Sequence, residues 1–64
     1  MNNKIKELRI KKGWSQAQLA DKCNVTRQTI NAIENNKYDP SLQLAFNMAK
    51  HLDTMVDELF INDQ

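Results

Sequence analysis

Residues 16–35 read Q-A-Q-L-A-D-K-C-N-V-T-R-Q-T-I-N-A-I-E-N and predict two short amphipathic helices joined by a three-residue turn. On one face of the first helix the apolar residues at helical spacing are Leu19, Ala20 and Cys23. Ile30 and Ile33 form the matching stripe on the second helix, so the two stripes are expected to face each other. Asn24 lies at the bend, where we expect a positive φ that Asn tolerates better than most residues. Together these features predict a sharp helix-turn-helix.

The second helix keeps a polar outer face beside its buried stripe. Its members are Arg27, Gln28, Thr29, Asn31 and Ala32. An Arg can donate two hydrogen bonds to guanine O6 and N7, and Gln or Asn can pair in the same way with adenine N6 and N7. This face therefore suits the major groove of double-stranded DNA. Arg27 and Gln28 are the strongest candidates for base contacts.

Capping residues and helix breakers predict five helices and no strand. Asn2 or Asn3 caps a first helix that runs to about Lys12 and stops at Gly13. Ser15 and Gln18 form a capping box for the second helix, which runs to about residue 23. Thr26 caps the third, at about residues 27–35.

The second half of the chain contributes two more predicted helices. The fourth begins at Pro40 with Asp39 or Ser41 as its cap, and its apolar residues are expected in the core: Leu42, Ala45, Met48, Ala49 and Leu52. A short fifth helix carries Val56, Leu59 and Phe60 and precedes a polar tail at residues 62–64.

Length and composition indicate one small domain, residues 1–64. A chain of this size buries about 60% of its unfolded surface and is marginally stable, so a dimer would help it. The hydrophobic share of 41% is ordinary for a folded domain. No apolar run approaches the roughly 18 residues of a membrane span, and the start of the chain has no apolar signal segment. We expect a cytoplasmic protein without membrane insertion.

The net charge of +1 hides an asymmetry. Residues 1–37 carry eight Lys or Arg against three Asp or Glu, whereas residues 38–64 carry one against five. The basic half contains the helix-turn-helix and would lie against phosphates, while the acidic half would point away from DNA. Charge alone would favour the alternative of an ordinary solvated surface.

The composition argues against an enzyme and predicts no metal and no cofactor. One His, one Cys, no clustered carboxylates and no glycine-rich loop leave no catalytic set. Cys23 lies on the inner stripe of a helix and is expected to be a small buried thiol without a redox role.

Three segments carry a recognisable pattern: L-R-x-x-x-G-W-S-Q-x-x-L-A at residues 8–20, V-T-R-Q-T-I-N-x-I-E-N-N-K at residues 25–37, and P-S-L-x-L-A at residues 40–45. They resemble the phage repressor and Cro family of bacterial transcription factors, the XRE-type helix-turn-helix regulators. Among its members the chain is most similar to the short stand-alone repressors, the cytolysin repressor among them. The resemblance implies an all-α, compact five-helix domain of the lambda-repressor type that binds operator DNA as a homodimer.

The family pattern also implies roles for individual residues. It places Gln16 on a phosphate at the start of the second helix, where the helix dipole favours an anion. The residues that would contact DNA bases or the adjacent DNA backbone are Thr26, Arg27, Gln28 and Asn31. Asn35 and Lys37, in the loop after the third helix, would contact the other DNA strand. Thr26 is first of all a helix cap, and Asn31 could equally be a solvated helix residue. Arg9 and Glu34 match a structural ion pair between the first and third helices.

The predicted dimer interface lies near the end of the chain. Met55 stands where the family usually has a capping Ser, so Thr54 is expected to cap the fifth helix and Met55 to be partly exposed. The interface is predicted to comprise Met55, Leu59, Phe60 and Ile61. In the alternative, Val56, Leu59 and Phe60 are all core residues and only Met55 and Ile61 are free.

These expectations converge on a regulator that represses by covering a promoter, and one with no dedicated inducer pocket. Its activity would then depend on concentration, on the dimer equilibrium or on a regulatory protein partner. The competing hypothesis is an antitoxin-like protein-interaction module with secondary DNA binding. Such modules usually add a neutralising segment, and only residues 62–64 are spare here.

Overall fold

Five helices follow one another in the computed structural model, which describes residues 2–61. They are α1 (Ile5–Lys11), α2 (Gln16–Cys23), α3 (Arg27–Glu34), α4 (Leu42–His51) and α5 (Val56–Leu59). The predicted all-α, five-helix architecture is confirmed. The predicted polar tail at residues 62–64 lies outside the described residues.

The expectation of no strand was wrong, because the two ends of the described chain pair with each other. β1 (Asn2–Asn3) and β2 (Phe60–Ile61) form an antiparallel pair in which Asn2 faces Ile61 and Asn3 faces Phe60. Strands of two residues are too short to show the alternation by which a strand is recognised in a sequence. Only the packing of the helices brings these ends together.

The caps that the sequence predicts for the middle helices are present. The Ser15 hydroxyl accepts from the Gln18 N–H at 3.1 Å, and the Gln18 side chain accepts from the Ser15 N–H at 2.7 Å, which completes the capping box of α2. The Thr26 hydroxyl caps α3 by accepting from the Thr29 N–H at 3.2 Å. Ser41, and not Asp39, caps α4.

The first and last helices differ from the prediction at their ends. Lys4 is the N-cap residue of α1, and Asn3 contributes from one position earlier, where its Oδ1 accepts from the Ile5 N–H at 3.1 Å. Met55 is the N-cap residue of α5 and makes no side-chain cap, so the prediction that Thr54 caps this helix was wrong. Thr54 instead donates its N–H to the Ala49 carbonyl in the turn after α4.

One apolar core lies between the helices. Each of the five helices contributes side chains from its buried face. Its large, fully buried side chains are Ile5, Leu19, Ile30, Ile33, Met48 and Leu59. Leu42, predicted to be a core residue, is 69% exposed, whereas Leu44 is buried. Residues two positions apart in a helix differ by about 200° around its axis. Leu42 therefore points away from the face that Leu44 helps to form.

The crossing of α2 and α3 is the sharp helix-turn-helix that the sequence predicts. Ala20 is buried where the helices meet, and Asn24 ends α2 with φ 58° and ψ 42°, in the left-handed region. The Val25 N–H then donates to the Ala20 carbonyl at 3.0 Å and closes the turn. Among residues 2–61, no helix has the length and apolar character needed to span a membrane.

Candidate nucleic-acid interface

The outer face of α3 presents three polar side chains, those of Arg27, Gln28 and Asn31, which are exposed. Ile30 and Ile33 on the opposite face are fully buried in the core. Because the buried face fixes the rotation of the helix about its axis, the polar face has a defined orientation. Thr26 is exposed at the start of this helix, and its hydroxyl lies 2.9 Å from the Thr29 hydroxyl in addition to capping the helix.

A buried ion pair holds the far end of α3 in place. Arg9 donates from Nε to Glu34 Oε2 at 2.7 Å and from Nη2 to Glu34 Oε1 at 3.1 Å. Its Nη1 donates to the Trp14 carbonyl at 2.9 Å, so each guanidinium nitrogen has a partner. The two side chains are only 10% and 4% exposed. This is the ion pair that the family resemblance implies, and it links α1 to α3.

Gln16 has partners that sequence reasoning missed. Its side chain is half-buried at the start of α2. Nε2 donates to Glu34 Oε1 at 3.1 Å, and Oε1 accepts from Asn31 Nδ2 at 3.4 Å. Gln16 and Glu34 lie 18 positions apart, so no local spacing could have shown this link. The residue predicted to bind a phosphate is therefore also joined to the outer face of α3.

The loop after α3 carries Asn35 and Lys37, both exposed. The Asn35 amide donates back to the Asn31 carbonyl at 2.9 Å. Asn36 turns the chain with φ 60°, and its side chain lies within hydrogen-bonding distance of the side chains of Asn2 and Asn3, at 3.1 Å in both cases. Strand β1 thus fixes the loop that presents Lys37. The sequence predicted only a helix-capping role for Asn2 or Asn3.

Trp14 lies at the junction of α1 and α2. Its ring packs against the core from a half-buried position. The Lys22 ammonium lies 4.6 Å from the ring centroid and the Lys12 ammonium 5.6 Å. Both distances are within the range of cation–π attraction, so the ring also holds two cations near the basic half of the protein.

The predicted dimer interface requires a correction. Leu59 is fully buried and Phe60 is 8% exposed, because both pack into the core, so neither is available to a partner. Met55 and Ile61 are exposed at 61% and 40%. Sequence reasoning missed two exposed apolar side chains on α4, Leu42 and Phe46. Leu42 lines one surface hollow and Phe46 lines a second, and Val56 lines both. We refer to the exposed large apolar side chains of residues 42–61, which are Leu42, Phe46, Met55 and Ile61, as the α4–α5 apolar surface.

Residues 5–59 match the family model described as helix-turn-helix. The chain belongs to the helix-turn-helix family. This family consists of DNA-binding transcriptional regulators and not of enzymes. The XRE-type resemblance seen in the sequence is confirmed.

Known members of the family match this regulator over nearly its whole length. It is 49% identical to an uncharacterized HTH-type transcriptional regulator of Methanocaldococcus jannaschii over 61 residues, which cover 95% of this chain and 92% of the relative. The N-terminal DNA-binding domain of SinR from Bacillus subtilis superposes with a TM-score of 0.82 at 32% identity, covering 95% of this chain and 90% of that domain. A crystal structure of SinR in complex with DNA gives a TM-score of 0.75 at 35% identity, over 83% of this chain and 86% of that one.

Proposed function

We propose that this regulator is a repressor that binds an inverted-repeat operator as a homodimer, with α3 in the major groove. The observation that carries the proposal is the outer face of α3, where Arg27, Gln28 and Asn31 are exposed on a helix whose other face is fixed in the core. The similar SinR structures, a DNA-binding domain and a complex with DNA, support it.

The dimensions of α3 fit this role. A helix of eight residues is about 12 Å long, comparable with the width of the major groove. Arg27 and Gln28, in its first turn, would meet base edges. Gln16 at the start of α2 and Lys37 in the loop after α3 would flank the helix and meet the phosphate backbone. Thr26 and Asn35, at the two ends of α3, would contribute to the same backbone contacts.

The distribution of charge supports the same orientation. Eight of the nine Lys and Arg residues lie in residues 1–37, with α2 and α3. Five of the eight Asp and Glu residues lie in residues 38–64. The domain would therefore approach DNA with α2 and α3 facing the phosphates and its acidic part facing away.

The α4–α5 apolar surface supports a homodimer. It lies on the elements that follow α3 and does not include the outer face of α3, so a second copy could pack there without covering the base-reading side chains. A two-fold contact would present two copies of α3 to successive major grooves about 34 Å apart. The operator would then be an inverted repeat with half-site centres about 10 base pairs apart.

Repression would follow from occupying a promoter, and we expect this to take place in the cytoplasm. Concentration, the dimer equilibrium or a protein partner would set the level of binding. One of the similar structures, with a TM-score of 0.77 at 35% identity, is a complex of SinR with a second protein, SinI. That precedent supports a protein partner as one route of control.

Selection of bound sequences from a pool of random double-stranded DNA tests this proposal. We expect an enriched inverted repeat with the spacing given above, and no enrichment with a variant that carries both Arg27→Ala and Gln28→Ala. A variant Lys6→Ala, which removes one exposed cation from α1, is the matched control and should select the same sequence as the parent. If the parent protein enriches no sequence, the proposed function is wrong.

A further inference from the structure

A chain of hydrogen bonds runs from the interior of the protein to the outer face of α3. It begins at Arg9, continues through Glu34 and Gln16, and ends at the exposed Asn31. The bonds within it measure 2.7 Å from Arg9 to Glu34, 3.1 Å from Gln16 to Glu34 and 3.4 Å from Asn31 to Gln16. Each link joins side chains from different helices.

The chemistry of the groups gives this chain a single direction. A guanidinium can only donate and a carboxylate can only accept, so the Glu34 carboxylate lies between donors. Gln16 must turn its Nε2 towards Glu34, which leaves Oε1 on the other side as an acceptor. Asn31 must then offer Nδ2 to Gln16. The orientation of both amides is therefore set by the buried cation of Arg9.

This direction determines what Asn31 presents at the surface. Its Oδ1 has no hydrogen-bond partner among residues 2–61, and Nδ2 keeps a second N–H besides the one given to Gln16. An acceptor together with a donor is the pattern that complements the adenine N6 amino group and N7. Cytosine offers only the amino group, whereas guanine and thymine present acceptors where Oδ1 would need a donor.

We propose that Gln16 is a positioning residue for specificity: through Gln16, the Arg9–Glu34 ion pair fixes the amide of Asn31 so that Asn31 selects a base with an exocyclic amino group, adenine before cytosine. This inference rests on the proposed function, since it requires that α3 enters the major groove. It differs from a phosphate contact by Gln16, which would strengthen binding to every sequence alike.

The experiment compares base preference in three variants by selection from random DNA, followed by binding to oligonucleotides changed at one base pair. Asn31→Ala first identifies the base pair at which preference depends on Asn31. At that pair we expect the parent to prefer adenine by about 5- to 150-fold over guanine or thymine. Gln16→Met, which keeps the length of the side chain but makes neither hydrogen bond, should remove most of this preference at the same pair and leave it intact elsewhere.

A third variant reverses donor and acceptor in the hydrogen bond between residue 16 and Asn31. In Gln16→Lys the ammonium still donates to Glu34 but cannot accept from Asn31, so Asn31 must turn Oδ1 inward and present Nδ2 to the groove. We expect the preference at this base pair to move to guanine or thymine, whose O6, N7 and O4 are acceptors. The added charge also strengthens binding to all sequences, and Ala17→Lys, which places the same charge on the neighbouring exposed residue, is the control for that effect.

The outcomes separate this inference from the proposed function. If Gln16→Met and Gln16→Lys alter affinity for all sequences equally and leave the preference at the Asn31-dependent pair unchanged, Gln16 is not a positioning residue. If Asn31→Ala changes no base preference, the inference also fails, while sequence-specific binding through Arg27 and Gln28 still stands. If the parent protein itself shows no preference for any sequence, the proposed function fails first. Thermal melting followed by circular dichroism establishes that each variant is folded.

Discussion

Arg9 and Glu34, 25 positions apart, form a two-bond ion pair that joins α1 to the last residue of α3. Both side chains are nearly excluded from water. A pair in such surroundings has already lost its hydration, so the two charges depend on each other. The pair therefore contributes to the stability of the domain and to the placement of α3.

Arg9→Met should destabilise the protein strongly, because it leaves the Glu34 carboxylate buried with no cation beside it. We expect the free energy of unfolding in urea to fall by about 3–5 kcal/mol. The double variant Arg9→Met with Glu34→Leu should recover most of this loss, since it removes both charges. Asp53→Asn, which breaks the exposed pair of Asp53 with Lys12, should cost less than about 1 kcal/mol. An Arg9→Met variant as stable as the parent would contradict the structural role of the pair.

Asn24 should tolerate glycine but not a β-branched residue, because its φ of 58° lies in the left-handed region. Asn24→Val is expected to lower the free energy of unfolding by about 1–2 kcal/mol. For a domain of this size, each kcal/mol corresponds to roughly 4–8 °C in the melting temperature. Asn24→Gly should melt at or near the temperature of the parent. Equal melting temperatures for the Val and Gly variants would show that the turn does not require this conformation.

Lys37 and Arg27 should contribute to DNA binding in different ways. Lys37→Ala is expected to weaken binding to all sequences and to reduce the slope of log affinity against log salt by about 1, because one phosphate contact is lost. Arg27→Ala should instead cost about 1–3 kcal/mol on the selected operator and relax the preference at the base pair it reads. Fluorescence anisotropy at several salt concentrations measures both effects. A salt slope unchanged by Lys37→Ala would remove this residue from the backbone contacts.

The α4–α5 apolar surface should control the oligomeric state. In the proposed homodimer a lysine at position 55 or 61 would be desolvated against the second copy. Met55→Lys and Ile61→Lys are therefore expected to shift sedimentation from the dimer towards the monomer. Ile10→Lys is the matched control, since Ile10 is about as exposed as Met55 but lies on α1. If both lysine variants sediment like the parent and the control, a second copy does not pack on this surface.

Cys23 should be an unreactive thiol in the folded protein. Burial raises its pKa because the thiolate is desolvated in the core. The unfolded chain therefore loses this proton at lower pH than the native state does, so stability falls as pH rises above about 8.5, the ordinary thiol pKa. Cys23→Ala should show a smaller decline in urea stability between neutral and alkaline pH. Rapid alkylation of Cys23 by iodoacetamide under native conditions at neutral pH would contradict this burial.

Local signals in the sequence specified the helices and the caps of α2 and α3. Ser15 with Gln18, and Thr26 with the N–H of Thr29, act within three residues of each other, so their spacing along the chain is enough to reveal them. Asn24 at the bend of the helix-turn-helix is another local signal. The polar outer face of α3 followed from the same periodicity, since Ile30 and Ile33 on the other face define it.

What the tertiary structure decided concerns residues that are distant in the chain. The pairing of β1 with β2, the exposure of Leu42 and the burial of Leu59 and Phe60 all depend on how the helices pack. The same holds for Gln16, whose partners Asn31 and Glu34 come from another helix. Helix periodicity states which residues share a face, but it does not state which neighbour covers that face. Contacts between separate elements require the three-dimensional arrangement, because side chains meet there by packing and not by their spacing along the chain.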